Sequence, residues 1–242
     1  AVKESVRIPF SMWVDSLQVI KLDNYNDEAL IGFAWPMEIT ENYIGINVDN
    51  FPLRIFTRQG KFVSCIGNIG QGHGEYNLVY DYPIDEAHNR VYLLPWTTKR
   101  ILVYDIQGNF IGEIPLPYLV HLGQIHMDYD RQRVTIMQLS FKNENFLNGG
   151  ISSPPIWTQD IEGNIIHENN APQLALSGGY GNGIRFCEKR LNHYVFSRFR
   201  TIPDVSDSLY TYLPDDNSLS PRFTVNFGNE MPKHDYRDYG DY

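Results

Sequence analysis

Two histidines and an aspartate have the spacing in this sequence that is most suited to chemistry. His121 and His126 flank the run LGQI, and Asp128 follows two positions after His126. Two imidazoles could bind a metal ion, but such a site usually needs a third ligand that converges on the same point. Side chains alternate along a strand, so Asp128 shares a face with His126 only. We interpret the three residues as candidates for ligand binding, and we predict neither a bound metal nor a cofactor.

Aromatic and arginine side chains near strand ends form a second set of candidates. Tyr82 and Trp96 lie beside polar residues, where aromatic rings can stack on a sugar or a peptide. Arg185 could attract a carboxylate, or it could pair with one of the many acidic residues. Packing between sheets is the alternative use of the aromatic rings, and the sequence leaves both uses open.

Several other chemistries are disfavoured. The 29 acidic and 20 basic residues give a net charge of −9, whereas nucleic acids and anionic membranes attract a surplus of Lys and Arg. The glycine-rich residues 67–76 lack the lysine and the following helix of a P-loop. There is no G-x-S-x-G motif of a serine hydrolase, and no run of 18 apolar residues that could span a bilayer.

A repeated hairpin organises the chain that must position these candidates. Residues 101–114, ILVYDIQGNFIGEI, indicate a strand, a two-residue turn and a second strand. Looser copies occur at residues 53–67, 156–167 and 209–227. The turn residues are spaced by 48, 55 and 54 positions, and they are Gly60, Gly108, Gly163 and Asn217. A period near 50 with four strands per repeat is typical of β-propeller blades, so we predict an all-β propeller, a single domain over residues 1–242 with about four countable blades.

The segments between the hairpins carry further expectations. In residues 16–22, Leu17, Val19 and Leu22 alternate with polar positions, which predicts a strand that could close the ring by joining the last blade. Residues 142–155 are predicted to be a polar insertion, and residues 234–242 a loose tail, because neither has apolar periodicity. Cys65 and Cys187 lie in apolar runs, so we expect buried free thiols.

Four runs of the sequence carry a resemblance to a known family. They are DSLQVIKL at 15–22, DEALIG at 27–32, IGNIGQGHGEY at 66–76 and SPRFTVNFG at 220–228. With these runs, the chain resembles the six-bladed, NHL-like β-propeller proteins that are abundant in Bacteroidetes. The family's glycine-rich loop is matched by Gly70, Gly72, Gly74, Glu75 and Tyr76, while His73 stands where a proline is usual.

The resemblance implies an exported protein, periplasmic or at the cell surface and often a lipoprotein, in a family that mostly has no assigned activity. It also implies six blades, so we expect this chain to be short at its C-terminus and able to oligomerise through an unclosed blade edge. The expected function is a non-catalytic recognition module for a glycan or for a protein or peptide partner. The alternative is an NHL-like or lactonase-like hydrolase or lyase with a metal in the central channel.

Overall fold

Almost all regular structure in this protein is β-strand. The computed structural model describes residues 7–96, 98–142, 153–177, 182–187, 191–197 and 208–224. Within these ranges the helices are three short 3-10 turns at Phe10–Met12, Asp27–Ala29 and Pro172–Leu174, and none has the length and apolar character needed to cross a bilayer. The predicted insertion at 142–155 lies partly outside the described ranges, and the predicted tail at 234–242 lies wholly outside them.

Consecutive strands pair with their neighbours in sequence to form the blades. The first blade consists of β1 (Ala34–Ile39), β2 (Tyr43–Val48), β3 (Leu53–Thr57) and β4 (Phe62–Ile66). A short parallel pair follows, with β5 (Asn68–Ile69) and β6 (Glu75–Tyr76). The second blade has an inner strand in two pieces, β7 (Val79–Asp81) and β8 (Ile84–Asp85), and then β9 (Arg90–Pro95), β10 (Arg100–Tyr104) and β11 (Phe110–Pro115).

The remaining strands repeat the same plan. The third blade consists of β12 (Gln124–Asp128), β13 (Arg133–Met137), β15 (Ile156–Asp160) and β16 (Ile165–Asn169). A parallel pair lies beside it, with β14 (Ser140–Lys142) and β17 (Ala175–Ser177). The fourth blade consists of β18 (Asn182–Cys187), β19 (Asn192–Ser197), β20 (Ser208–Leu213) and β21 (Ser218–Thr224). The predicted β-propeller of four-stranded blades is therefore confirmed.

The outer hairpin of each blade turns at the residue that the sequence indicated. The φ angles of Gly60, Gly108 and Gly163 are +88°, +90° and +93°, a conformation that residues with a Cβ adopt at a cost. Asn217 has a φ of +46° at the equivalent turn of the fourth blade, where Asn is tolerated. The hairpins of the first three blades also shift register beside the turn, as a β-bulge does, whereas the shift in the fourth hairpin lies at the end away from the turn.

The core lies between successive blades, where apolar faces of neighbouring sheets meet. Leu53 of the first blade packs in one cluster with Leu93 of the second, and both are fully buried. Trp157 of the third blade is also fully buried, in the cluster that joins the second and third blades. The carboxylate of Asp81 links the same two blades, because it accepts a hydrogen bond of 2.8 Å from the backbone N–H of Ile125. Each blade is therefore held by its neighbours rather than by a core of its own.

The N-terminal segment covers the free face of the first blade. Ile20 and Leu22 pack there with Ala29 against the side chains of β2 and β3. The strand predicted at residues 16–22 is not formed among the described residues, because no described strand pairs with it. Its nearest backbone hydrogen bond runs from the N–H of Asp23 to the carbonyl of Gly60, at 2.7 Å.

The glycine-rich stretch at residues 67–76 is the predicted connector between the first two blades. Gly67 and Gly74 have positive φ angles of 65° and 72°. The Glu75 carboxylate accepts a 2.8 Å hydrogen bond from the N–H of Gly72, as expected of an acid that organises a loop. Tyr76 is buried between the two blades, and burial raises its pKa. The stretch therefore positions the two blades relative to each other.

Candidate functional site

The histidines and the aspartate that the sequence suggested lie at the inner strand of the third blade. His126 and Asp128 share one face of β12, and His126 is paired with Thr135 on β13. Asp128 ends the strand and accepts a 3.2 Å hydrogen bond from the backbone N–H of Arg131. His121 lies in the preceding loop and is exposed, and its backbone N–H donates to the side chain of Gln138 at 2.9 Å.

The other predicted candidates are spread over the chain. Tyr82 is 7% exposed between the first two blades. Its hydroxyl accepts a hydrogen bond from the Asn47 N–H at 3.3 Å and donates one to the Gly45 carbonyl at 3.4 Å, both in β2. The ring therefore packs between the blades. Trp96 is 48% exposed just after β9 and tilts against Tyr80, with 6.4 Å between ring centroids. Arg185 lies on β18 opposite Tyr194, and its side chain is outside the described part of the chain.

A groove of about 380 Å³ lies between the second and third blades. Its apolar lining is supplied by Val103, Ile114, Met127 and Ile161. Its polar lining is supplied by His88, Arg90, Glu113, Asp128 and Gln132, with the ring of Tyr129 between the two sets. Asp128 is therefore the sequence candidate that the fold places in a concave surface.

One wall of the groove is the turn between β8 and β9. Asp85 organises this turn, because its carboxylate accepts from the backbone N–H of His88 at 3.3 Å and contacts the His88 Nδ1 at 2.6 Å. Arg90 donates to the carbonyls of His88 and Asn89 at 3.1 and 3.0 Å. Asp85 thus holds the imidazole and Arg90 holds the backbone of the turn, while the side chain of His88 remains 56% exposed.

The facing wall is the turn between β12 and β13. The ring of Tyr129 stacks on His88, with 4.6 Å between centroids and 27° between planes. Burial raises the pKa of Tyr129, and hydrogen bonding to Tyr92 and to the Asp85 carboxylate raises it further. Burial also raises the pKa of Tyr92. Both phenols are therefore neutral at physiological pH.

A carboxylate–guanidinium pair extends the polar edge beyond Asp128. Arg131 lies 3.5 Å from Asp128 and also pairs with Asp215 in the outer turn of the fourth blade. At the opposite edge, Glu113 pairs with Arg100 at 3.2 Å and keeps 40% of its side chain exposed. Carboxylates on two sides of an apolar floor can accept hydrogen bonds from hydroxyl groups, and the floor can take the apolar face of a ring.

The positions of the possible ligand side chains bear on metal binding. Within the described ranges, no three His, Cys, Asp or Glu side chains are grouped so that they could hold a metal ion. His126 has an interaction within the protein. Cys65 is a free thiol, and it is half-buried rather than fully buried as the sequence suggested; burial raises its pKa.

Sequence reasoning missed the residues that form the groove. His88 looked like an exposed turn residue, and Tyr129 lies 41 positions further along the chain. The available signal was the equivalence of the two turns, DEAHN and DYDRQ, which occupy the same position in consecutive blades. Blades that stack side by side bring equivalent turns together, so a comparison of repeats could have paired His88 with Tyr129.

Comparison with known proteins gives one match over the whole length. The family model described as "Domain of unknown function (DUF4934)" matches residues 1–242. Among curated proteins, none matches the chain.

Solved structures with the same kind of fold also match. A protein of Bacteroides fragilis NCTC 9343 described as exported has a TM-score of 0.59 and 18% identity, over 86% of this chain and 55% of that one. Streptogramin B lyase has a TM-score of 0.47 and 13% identity, over 77% and 53%. The extracellular domain of a one-component system from B. thetaiotaomicron has 0.46 and 17%, over 83% and 25%. The chain thus spans about half, or less, of the length of these structures, and at such identities the likeness concerns the fold alone.

Proposed function

This chain belongs to the DUF4934 family, and from that premise we propose that it is a non-catalytic recognition module of an exported protein, which binds a glycan in the groove between its second and third blades. Export to the periplasm or cell surface is part of the proposal. It is supported by the Bacteroides fragilis protein described as exported, which shares the fold.

One observation carries the proposal: aromatic, apolar and hydroxyl-accepting groups converge on a concave surface. The stacked pair of His88 and Tyr129 stands beside an apolar floor, and the carboxylates of Glu113 and Asp128 line the same groove. A pyranose ring has an apolar face and a rim of hydroxyl groups, which this arrangement complements. The volume of about 380 Å³ lies within the range of small-ligand sites and suits one or two sugar units rather than a long peptide.

The side chain of His88 is held in one position before any ligand binds, which favours a role in binding. His88 is held by Asp85 and by the stacking on Tyr129, so little side-chain freedom is lost when a ligand arrives. The smaller loss of side-chain entropy would favour a glycan and a short peptide equally. The experiment must therefore distinguish glycan binding from peptide binding.

The test is a binding screen of the purified chain against neutral and acidic oligosaccharides and against a peptide library, followed by calorimetry on any hit. We expect an oligosaccharide to bind and His88→Ala to weaken that binding by about tenfold, which corresponds to about 1.4 kcal/mol of lost stacking and positioning. Trp96→Ala removes an exposed aromatic ring outside the groove and serves as the matched control, with binding unchanged. Thermal unfolding of both variants checks that the fold is intact.

Three results count against the proposal in different ways. Peptide binding without glycan binding keeps a recognition module but removes the glycan. Binding that is lost in Trp96→Ala and kept in His88→Ala moves the site away from the groove. Hydrolysis of a lactone by a metal-loaded sample, in a channel rather than in the groove, supports the alternative enzyme instead.

A further inference from the structure

The acidic, basic and imidazole side chains that line the groove differ in whether they have a counter-ion. They are His88, Arg90, Glu113 and Asp128. Three of them contact an oppositely charged group within 3.5 Å, and these pairs are His88 with Asp85, Glu113 with Arg100 and Asp128 with Arg131. Arg90 has no such partner, because no carboxylate of the described residues lies within 4.0 Å of its guanidinium nitrogens. The charged group that lacks a counter-ion in contact is therefore positive.

The guanidinium of Arg90 is held by the turn that precedes it, and one of its edges stays unused. Its Nη1 donates to the carbonyls of His88 and Asn89 at 3.1 and 3.0 Å. Both bonds use the same nitrogen, and within the described ranges no acceptor is bound to Nε or Nη2. These two nitrogens form an edge of the planar guanidinium with two parallel N–H groups, which matches the two oxygens of a carboxylate. Arg90 is thus fixed in place with a carboxylate-binding edge available.

The carboxylate that lies opposite Arg90 in the sheet is engaged elsewhere. Asp85 on β8 is the ladder partner of Arg90 on β9. The oxygens of Asp85 accept from the backbone N–H of His88 at 3.3 Å and contact its Nδ1 at 2.6 Å. The Tyr129 hydroxyl is hydrogen-bonded to the same carboxylate. Asp85 therefore organises the turn and the imidazole, and it makes no ion pair with Arg90.

The surroundings of Arg90 strengthen an ion pair formed there. Arg90 is partly buried, Tyr92 on the same face of β9 is buried, and Val103 and Met127 make the nearby floor apolar. Water is partly excluded from such a surface, so opposite charges attract more strongly than in bulk solvent. The net charge of −9 opposes the approach of an anion from a distance, but salt limits that repulsion to about 8 Å at physiological ionic strength. The contact pair therefore decides the preference of the groove.

We propose that the groove selects acidic sugars, and that Arg90 determines this selectivity by pairing with the carboxylate of a uronic acid unit. The inference rests on the glycan-binding function proposed above. A uronic acid carries its carboxylate at the rim of the ring, so its apolar face remains free to lie on the floor beside the stacked His88 and Tyr129. Glu113 and Asp128, whose charges are offset by their own arginines, remain as acceptors for the hydroxyl groups.

Calorimetry with three disaccharides of equal size and linkage tests the proposal. One is built from glucose, one from glucuronic acid, and the third is the methyl ester of the second. The ester keeps the shape of the acid without its charge, so it separates charge from size. We expect the glucuronic acid disaccharide to bind roughly tenfold to a hundredfold more tightly than the other two, as a charge-assisted hydrogen-bonded pair does. The preference should shrink as salt is added.

Variants of Arg90 show whether this residue is the origin of the preference. Arg90→Gln should bring the acid down to the affinity of its methyl ester. Arg90→Lys keeps the positive charge but not the two parallel N–H groups, so it should retain only part of the preference. Arg58→Gln is the matched control, because Arg58 lies in the outer turn of the first blade, outside the groove, and has no ion pair with a described carboxylate. It changes the net charge equally and should keep the preference.

The ratio of the three affinities separates selectivity from a structural role of Arg90. If Arg90 only supports the turn, Arg90→Gln weakens all three disaccharides by one factor and preserves the ratio, which overturns the proposal. Equal binding of the acid and its ester by the parent protein also overturns it, and in both cases the glycan site itself stands. If no oligosaccharide binds at all, the glycan-binding function fails, and this inference fails with it.

Discussion

Replacing the turn glycines by alanine one at a time should reveal how firmly each neighbour is held. Gly60, Gly108 and Gly163 share nearly the same φ angle, so a Cβ costs each of them about 1–2 kcal/mol of backbone strain. They differ in the neighbouring atoms that the added Cβ would contact. The ranking of the three variants therefore separates the cost of that contact from the cost of the backbone strain.

Gly108→Ala should be the most destabilising of the three. Its Cβ would lie 2.3 Å from the carbonyl of Cys65, which is backbone in β4 and is paired with β3. A paired strand can move only by disturbing its sheet, and overpacking of this kind costs about 1–3 kcal/mol more. We expect a loss of about 3 kcal/mol in the free energy of unfolding.

The other two replacements should be milder, for different reasons. Gly163→Ala meets Pro115, whose nearest atom is a ring carbon at 2.9 Å, and a small shift of the ring relieves the contact. Gly60→Ala meets Lys21 at 2.1 Å, but that segment is held by one backbone hydrogen bond and can move away. We expect a loss of about 1–2 kcal/mol for each, which is close to the strain alone.

Urea unfolding at 25 °C, followed by tryptophan fluorescence to which the buried Trp157 contributes, measures the three losses. Gly112→Ala is the control, because nothing lies within 4 Å of its added Cβ and its φ is not in the left-handed region. That variant should unfold at the same urea concentration as the parent or slightly above it. Equal losses for all three turn glycines would refute the reasoning, since the neighbouring carbonyls would then contribute nothing.

Two further changes test single contacts. Tyr76→Phe removes a buried hydroxyl that donates to the Ile66 carbonyl at 2.7 Å and accepts from the Leu53 N–H at 2.8 Å, so the free energy of unfolding should fall by about 2 kcal/mol in urea; a fall below about 0.5 kcal/mol contradicts this. Partial burial opposes ionisation of Glu86, but hydrogen bonds from Thr40 and its neighbours outweigh it and lower the pKa of Glu86. The resulting stability is present above the ordinary pKa of 4.5 and is lost as the pH falls through the lower folded value. Glu86→Gln should therefore lower the unfolding temperature at neutral pH, with a difference that shrinks in acid; a difference independent of pH would show that ionisation plays no part.

The hairpins were accessible from sequence because their determinants are local. Gly108 is required by the φ of its own turn, and the alternating apolar residues on each side define the faces of two strands that are adjacent in the chain. The period of about 50 residues between copies then predicted four-stranded blades. These blades must pack side by side, because one blade cannot bury both of its faces alone. The hydrogen bond from the Gly72 N–H to the Glu75 carboxylate in the glycine-rich loop is local in the same way.

The candidate site was only partly accessible. Asp128 was selected from its spacing to His126, and the fold does place it in the groove. Its partner residues were not selected, because His88 and Tyr129 are brought together by the stacking of two blades and not by any pattern within either turn. The sequence left open whether Tyr82 is an aromatic platform or a packing residue, and blade packing buries it.

By itself, the sequence of this protein determined the strands, their turns and the length of the repeat. These depend on backbone preferences and on alternation within about 15 residues. The tertiary structure alone decided which turns meet and which aromatic rings are buried. Those outcomes depend on contacts between blades that are about 50 residues apart in sequence. The sequence pattern within one repeat does not specify which surface of the next repeat it will contact.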